Sequence, residues 1–83
     1  MEKYIEFFKR EAKKMHKDSK NENPKYYKNI KRIIAFFKKE KPSLMQIQHI
    51  IAKIAGANKW TELTQENIQL FKKNLKNFEK GGN

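Results

Sequence analysis

Hydrophobic residues recur along most of the chain at the spacing of amphipathic helices, and they divide it into four helical segments. The first spans about residues 2–15, where no Gly or Pro interrupts the pattern. Residues 16–23 are polar without a period, which predicts a loop. A second helix is predicted over residues 24–39, because Asn23 can cap free amides and Pro24 suits the first helical position. Its apolar positions are Tyr27, Ile30, Ile33, Ile34 and Phe37.

The third segment has the clearest start and stop signals. Ser43 and Gln46 have the spacing of a capping box, in which each side chain binds the other residue's backbone amide. Gly56 stands where a left-handed C-terminal cap is expected. Five residues between these signals are predicted to face the core: Leu44, Ile47, Ile50, Ile51 and Ile54. Because this segment is apolar and nearly neutral, we expect it to be the central helix.

The remainder of the chain predicts a turn followed by a last helix. Residues 57–63 indicate a turn or one short helical turn, and Thr64 is the predicted cap of the next helix. The apolar positions of that helix are spaced 3, 4 and 3 apart, at Ile68, Phe71, Leu75 and Phe78. With 83 residues, the chain has the length of one domain. We therefore predict an all-α fold, a single compact domain over residues 1–80 with about four short helices, a short turn around Trp60 and a frayed tail at 81–83.

The charge of the chain is large and unevenly distributed. The formal net charge is +11, of which residues 21–42 carry +5 and residues 43–63 carry +1. A positive balance of this size predicts attraction to polyanions. Lys far outnumbers Arg, as the codon bias of an AT-rich genome would produce, so an alternative is that Lys has accumulated on the surface without a function. The same bias also favours Glu codons, and it therefore does not explain why basic residues outnumber acidic ones. The excess of basic residues favours a functional basic surface.

A local pattern in the third segment resembles a known group of proteins. Its residues are Gln48, Ile51, Ala52, Lys53, Gly56, Trp60 and Leu63. Residues 48–63 thus resemble a helical segment found in many small bacterial and mobile-element proteins. Ala57 replaces the usual Phe and Lys59 a usual small polar residue. The resemblance implies a helical fold whose Trp closes the core. Since that family has no single defined activity, the resemblance supports a prediction of the fold better than a prediction of the function.

The same stretch also has the Ala-x-x-x-Gly spacing of half a helix-turn-helix, at Ala52 and Gly56. That motif needs a second helix in the major groove, which would begin near Asn58. The candidate helix carries only one basic residue, and Glu62 stands where an apolar residue is expected. We therefore do not favour sequence-specific DNA reading.

The candidate binding residues lie in the basic second segment. Phosphate contacts are predicted for Lys25, Lys28, Lys31, Arg32, Lys38 and Lys39. Of the adjacent Tyr26 and Tyr27, one is expected to face the core and the other to be an exposed aromatic that could stack on a base or be a plain surface residue. Trp60 could stack as well, but its spacing favours packing with Leu63 beneath the turn.

Nothing in the sequence indicates catalysis, a metal site or a cofactor. Cysteine is absent, and the two histidines, His16 and His49, have no partner at ligand spacing. His16, Asp18 and Ser19 are consecutive or nearly so in a predicted loop, and flexible neighbours cannot hold catalytic geometry. They are interpreted as solvated loop residues, and we expect a protein that is not an enzyme.

No apolar run approaches the roughly 20 residues of a membrane span, and none follows Met1 as in a signal peptide. We therefore expect a cytoplasmic protein without a membrane partner, whose amphipathic faces form one shared core.

The sequence thus predicts a small, basic, non-enzymatic nucleic-acid-binding accessory protein, for DNA or RNA, that acts mainly through electrostatic phosphate contacts. The alternative is a protein-binding module from a phage or mobile element, such as an anti-CRISPR-like inhibitor or an antitoxin. It would use an exposed apolar patch. Phe7, Phe36 and Tyr26 are the candidates, because they lie outside the apolar helix faces that are predicted to form the core. A third hypothesis is homodimerisation through that patch.

Overall fold

Four α-helices and one 3-10 turn form the regular structure of residues 3–79, the part of the chain that this computed structural model describes. The helices are α1 (Lys3–Ser19), α2 (Ile30–Phe36), α3 (Leu44–Ile54) and α4 (Asn67–Glu79), and the 3-10 turn is Trp60–Glu62. No strand occurs within this range, so the prediction of an all-α fold is confirmed. The radius of gyration is 11.9 Å, close to the ~12 Å expected of one compact domain of this length. The predicted tail at 81–83 lies outside the described residues.

Helix α3 is the central helix, as predicted, and it packs against α1, α4 and the 3-10 turn. Ile47, Ile50 and Ile51 are fully buried. The predicted capping box is confirmed: the Ser43 hydroxyl accepts from the Gln46 amide at 3.2 Å, and the Gln46 side chain accepts from the Ser43 amide at 2.9 Å. Leu44, predicted to face the core, is exposed instead, because the first helical turn extends beyond the packed core.

The end of α3 is also confirmed. Gly56 has a φ of +86°, the left-handed region that glycine adopts without steric penalty. Its amide donates to the Lys53 carbonyl at 3.1 Å, and the amide of Ala57 donates to the Ala52 carbonyl at 2.8 Å. This pair of bonds is a Schellman motif, which gives partners to carbonyls at the end of the helix.

Helix α1 is longer than predicted. It runs to Ser19, so residues 16–19 are helical and the loop predicted from residue 16 is wrong at that end. Phe8, Ala12 and Met15 are buried, and the Phe8 ring contacts the Phe71 ring of α4 edge-on at 5.8 Å between centroids. Polar composition misled the prediction here, because a helix can continue through polar residues when its last turn is tied to another segment.

Helix α2 is shorter than predicted, and its start is the largest error of the sequence reading. The helix spans Ile30–Phe36 instead of 24–39, and Pro24 does not open it. The amides of Lys25, Tyr26 and Tyr27 donate to the carboxylate of Asp18 at 3.1, 2.7 and 2.6 Å. A side chain from α1 therefore holds residues 25–27 in a turn, and the helix begins after it.

The second and fourth helices differ from prediction at two more ends. Helix α2 ends at Phe36, three residues before the predicted limit at Lys39, and Lys38 just beyond it has a left-handed φ of +59°. Helix α4 begins at Asn67, so Thr64 does not cap it directly. Instead, the Thr64 amide and hydroxyl both donate to the Asn67 side-chain oxygen, at 2.7 and 2.9 Å, which forms a tight turn before the helix.

Candidate nucleic-acid interface

The predicted phosphate-binding residues lie on three consecutive pieces of chain rather than on one helix. Lys25 and Lys28 belong to the turn that Asp18 holds, Lys31 and Arg32 to α2, and Lys38 and Lys39 to the segment after it. All are exposed except Lys39, which is half-buried. Among the side chains that the structure describes, none of these six forms an ion pair with a carboxylate. Their positive charges are therefore available to a ligand.

Asp18 is the residue that shapes this interface, and it was predicted to be solvated. It is only 1% exposed, and its two oxygens accept three backbone amides of the basic segment. Because hydrogen bonds from backbone amides stabilise a buried carboxylate, Asp18 acts as a structural tether. Ser19, in the same turn, donates its hydroxyl to the His16 carbonyl at 2.6 Å. The interpretation of these residues as solvated loop residues is wrong for Asp18.

The two adjacent tyrosines face opposite ways, as expected. Tyr27 is buried and its hydroxyl donates to the carboxylate of Glu11. Burial, together with this hydrogen bond and the nearby negative charges, raises the pKa of Tyr27 above its usual range. The other oxygen of Glu11 lies 3.5 Å from the Lys14 ammonium. Tyr27 is thus fixed to α1, which leaves its neighbour on the surface.

Tyr26 is 48% exposed, and two ammonium groups lie near its ring. The Nζ atoms of Lys14 and Lys25 are 5.2 and 5.6 Å from the ring centroid, within the range of a cation–π interaction. Sequence reasoning missed Lys14, which comes from α1. No pattern in the sequence links it to Tyr26, since contacts made in the fold, through Asp18 and through Tyr27 with Glu11, bring the two segments together.

Tyr26 stands at the edge of a groove of about 510 Å³. Lys14 and Lys28 also line the groove, and Glu11 and Asn29 contribute polar groups. Its apolar lining is Ile33, Leu75 and Phe78. Such a volume falls within the ~300–1,000 Å³ of small-ligand sites. The groove therefore places aromatic, basic and apolar side chains around one concave surface, formed by α1, the 24–29 turn, α2 and α4.

The end of α4 is attached to this surface. The Asn29 amide group and the Arg32 guanidinium donate to the Phe78 carbonyl at 3.4 and 3.3 Å. Phe36, 68% exposed, contacts the Phe78 ring edge-on at 5.4 Å. Arg32 therefore has a structural contact in addition to its predicted phosphate role, and Phe78 is a groove residue that sequence reasoning assigned only to the core.

The apolar patch of the protein-partner hypothesis is smaller than expected. Phe7 is half-buried and contacts the rings of Phe8 and Phe71 at 5.1 and 6.0 Å. Lys72 covers part of it, with Nζ 5.7 Å from the Phe7 centroid. Of the three candidate residues, only Phe36 and Tyr26 are exposed.

Trp60 lines a second groove of about 340 Å³, together with Tyr4, Ile5, Phe8, Lys9, Thr61 and Leu63. It is half-buried and contacts the Phe8 ring edge-on at 6.4 Å between centroids, while Leu63 is buried. The helix that a helix-turn-helix would need from Asn58 is not formed. Only the three residues of the 3-10 turn are helical there, too few to span a major groove.

Acid–base and metal chemistry have few candidates in this fold. Burial and the charge of Lys20 lower the pKa of His16, and His49 is exposed on α3. Over residues 3–79, no three His, Asp or Glu side chains group closely enough to hold a metal ion. Within the same residues, no helix combines the length and hydropathy needed to cross a membrane.

Comparisons with known proteins assign no family to the chain. No protein-family model, curated protein or solved structure matches it. The resemblance of residues 48–63 to mobile-element proteins therefore stays a prediction, and function is argued from the geometry of the site.

Proposed function

We propose that the protein binds nucleic acid through the surface formed by the 24–29 turn, α2 and the residues that follow α2. The observation that carries this proposal is the set of exposed basic side chains without a described acidic partner, next to the exposed Tyr26. Asp18, which lies next to this segment, is buried, and its carboxylate accepts hydrogen bonds from backbone amides rather than pairing with the basic side chains.

The proposed role is binding without catalysis, in the cytoplasm. Both oxygens of Asp18 are occupied by amides, which favours a structural function over acid–base catalysis. The absence of cysteine from the sequence fits a reducing compartment. We rank the protein-partner hypothesis second, because Phe7, one of the three residues predicted for its apolar patch, packs against the core.

The test is a titration of labelled duplex and single-stranded oligonucleotides at two salt concentrations. On duplex DNA, the log of affinity falls with log salt at a slope near −0.9 per phosphate contact. About four contacts would thus weaken binding roughly a hundredfold between about 50 and 200 mM salt. The triple variant Lys28→Gln, Lys31→Gln, Lys38→Gln should flatten this slope. These exposed lysines are chosen because Arg32 also supports α4.

A matched control separates a located interface from general attraction by net charge. The triple variant Lys9→Gln, Lys53→Gln, Lys59→Gln removes the same charge from exposed positions elsewhere in the fold. We expect it to retain most of the slope. Equal flattening in both triple variants would contradict the proposed interface, and no binding at low salt would overturn the function itself.

A further inference from the structure

The groove beside Tyr26 has a composition suited to one particular ligand class. An exposed aromatic ring and an apolar lining that includes Phe78 and Leu75 offer a place for a planar, partly apolar group. Lys14 and Lys28 line the same groove, and Lys25 lies near the Tyr26 ring. A planar ring attached to phosphates, as in a nucleotide, complements both features.

We propose that this groove binds one unstacked base of a single-stranded nucleic acid, with Tyr26 against the base and Lys14, Lys25 and Lys28 on the adjacent phosphates. This inference rests on the proposed function and specifies its ligand. In a duplex, each base is stacked on both faces and paired along its edge. Only an unpaired strand can extend a base into a concave site, which is how single strands are bound by aromatic side chains.

The lysines that now lie near the Tyr26 ring do not prevent this arrangement. Lys25 is exposed and Lys14 half-buried, and a cation–π contact at an exposed site is weaker than the stacking of a base on an aromatic ring. A base can therefore displace the ammonium groups from the ring. The displaced ammonium groups remain close enough to bind the phosphates on either side of that base.

The experiment compares labelled ligands that share phosphates but differ in their bases. Strands of about 12 nucleotides, within the ~4–16 that small single-strand sites cover, are titrated at low salt by fluorescence anisotropy. The set contains a mixed-base strand, its duplex, an abasic strand of equal length and a free nucleoside monophosphate as competitor. We expect the mixed-base strand to bind about tenfold more tightly than the abasic strand, and more tightly than the duplex.

A pair of variants locates the base. Tyr26→Leu keeps the backbone amide that donates to Asp18. It should weaken the affinity for the mixed-base strand about tenfold and leave the affinity for the abasic strand unchanged. Tyr4→Leu is the matched control, since Tyr4 lines the other groove, and it should change neither affinity. Far-ultraviolet circular dichroism and thermal denaturation check that both variants are folded. The comparison of ligands on the unaltered protein needs no variant at all.

The outcomes separate this inference from the function on which it rests. If the abasic strand or the duplex binds as tightly as the mixed-base strand, the protein binds nucleic acid but the groove does not hold a base. If the free nucleotide competes as well as the strand, the ligand is a mononucleotide and the inference is overturned. If no ligand binds at low salt, both the inference and the proposed function fail.

Discussion

Helices α2 and α3 follow one another in the chain and end in the same hydrogen-bond pattern, but they are held in place in different ways. Helix α3 starts at a capping box made by Ser43 and Gln46 and stops at Gly56. Helix α2 is preceded by Asn29 as its N-cap, and the side chain of Asn29 makes no capping bond. After its last residue, Phe36, the amides of Lys38 and Lys39 donate to the carbonyls of Ala35 and Ile34 at 2.9 and 3.0 Å.

The difference shows that α3 is defined by its own sequence and α2 by its surroundings. A capping box and a glycine act within a few residues of the helix they delimit. The turn before α2 depends on Asp18, seven to nine residues earlier and in another helix. The segment with the largest share of the net charge, +5 over residues 21–42, thus contains the helix whose position is least determined by local signals.

The largest expected effect is on the tether of α2. Asp18→Ala leaves the three amides of residues 25–27 without their acceptor. Bonds to a charged group contribute ~1.5–3 kcal/mol each, but water can replace the acceptor at the two part-buried amides, so we expect a loss of about 3–5 kcal/mol in unfolding free energy. Urea denaturation monitored by Trp60 emission measures it. Ser19→Ala, in the same helical turn, is the control and should lose below about 1 kcal/mol. Similar losses in both would contradict the tether.

The contrast between the two helices also explains which parts of the fold the sequence could predict. The bounds of α3, its cap and the left-handed Gly56 were predicted correctly, because those signals are local. The start of α2 could not be predicted, since Pro24 and Asn23 form a plausible helix start and nothing in the sequence links Asp18 to the amides beyond them. Leu44 was misplaced because periodicity does not show where a neighbouring helix ends.

The candidate site follows the same rule. The sequence predicted that one of Tyr26 and Tyr27 is exposed, since helical or turn geometry separates adjacent side chains. It did not predict Lys14 beside Tyr26 or Phe78 in the groove, because these residues come from α1 and α4. A surface assembled from distant elements has no pattern along the chain.

The second effect concerns the end of α3. Gly56→Ala should cost about 1–2 kcal/mol, the usual penalty of a left-handed conformation for a residue with a Cβ. An added Cβ would also meet the side chain of Leu70. Gly56→Asn separates the two causes, because Asn tolerates this conformation but carries the same Cβ. Thermal denaturation should show a smaller loss for Asn. Equal losses would mean that crowding against Leu70 dominates.

The third effect compares the two helix starts. Ser43→Ala should cost about 1 kcal/mol, because the Gln46 amide loses its acceptor and the capping box is broken. Asn29→Ala removes no cap and only a long 3.4 Å bond to the Phe78 carbonyl, so a loss below about 0.5 kcal/mol is expected. Both are measured by urea denaturation. A larger loss for Asn29→Ala would mean that α2 depends on the residue at its N-cap position after all.

The smallest expected effect is a gain, and it connects the end of α2 to function. Lys38 has a φ of +59° and stands after α2 where Gly56 stands after α3. Residues with strained backbone conformations often mark functional sites. Lys38→Gly should therefore raise the unfolding free energy by about 0.5 kcal/mol, since relief of the left-handed conformation exceeds the added freedom of the unfolded chain. It should also reduce the salt slope of duplex binding by about 0.9, the value of one phosphate contact.

Lys38→Ala isolates the two parts of this prediction. Alanine removes the charge but keeps the unfavourable conformation, so binding should weaken as in Lys38→Gly while stability does not rise. Thermal denaturation and salt-dependent titration of both variants provide the measurements. If glycine stabilises the fold and leaves the salt slope unchanged, Lys38 does not contact phosphate and its conformation only ends the helix. If glycine fails to stabilise the fold, the chain after α2 is held by contacts that outweigh the preference of its backbone, and the parallel between Lys38 and Gly56 does not hold.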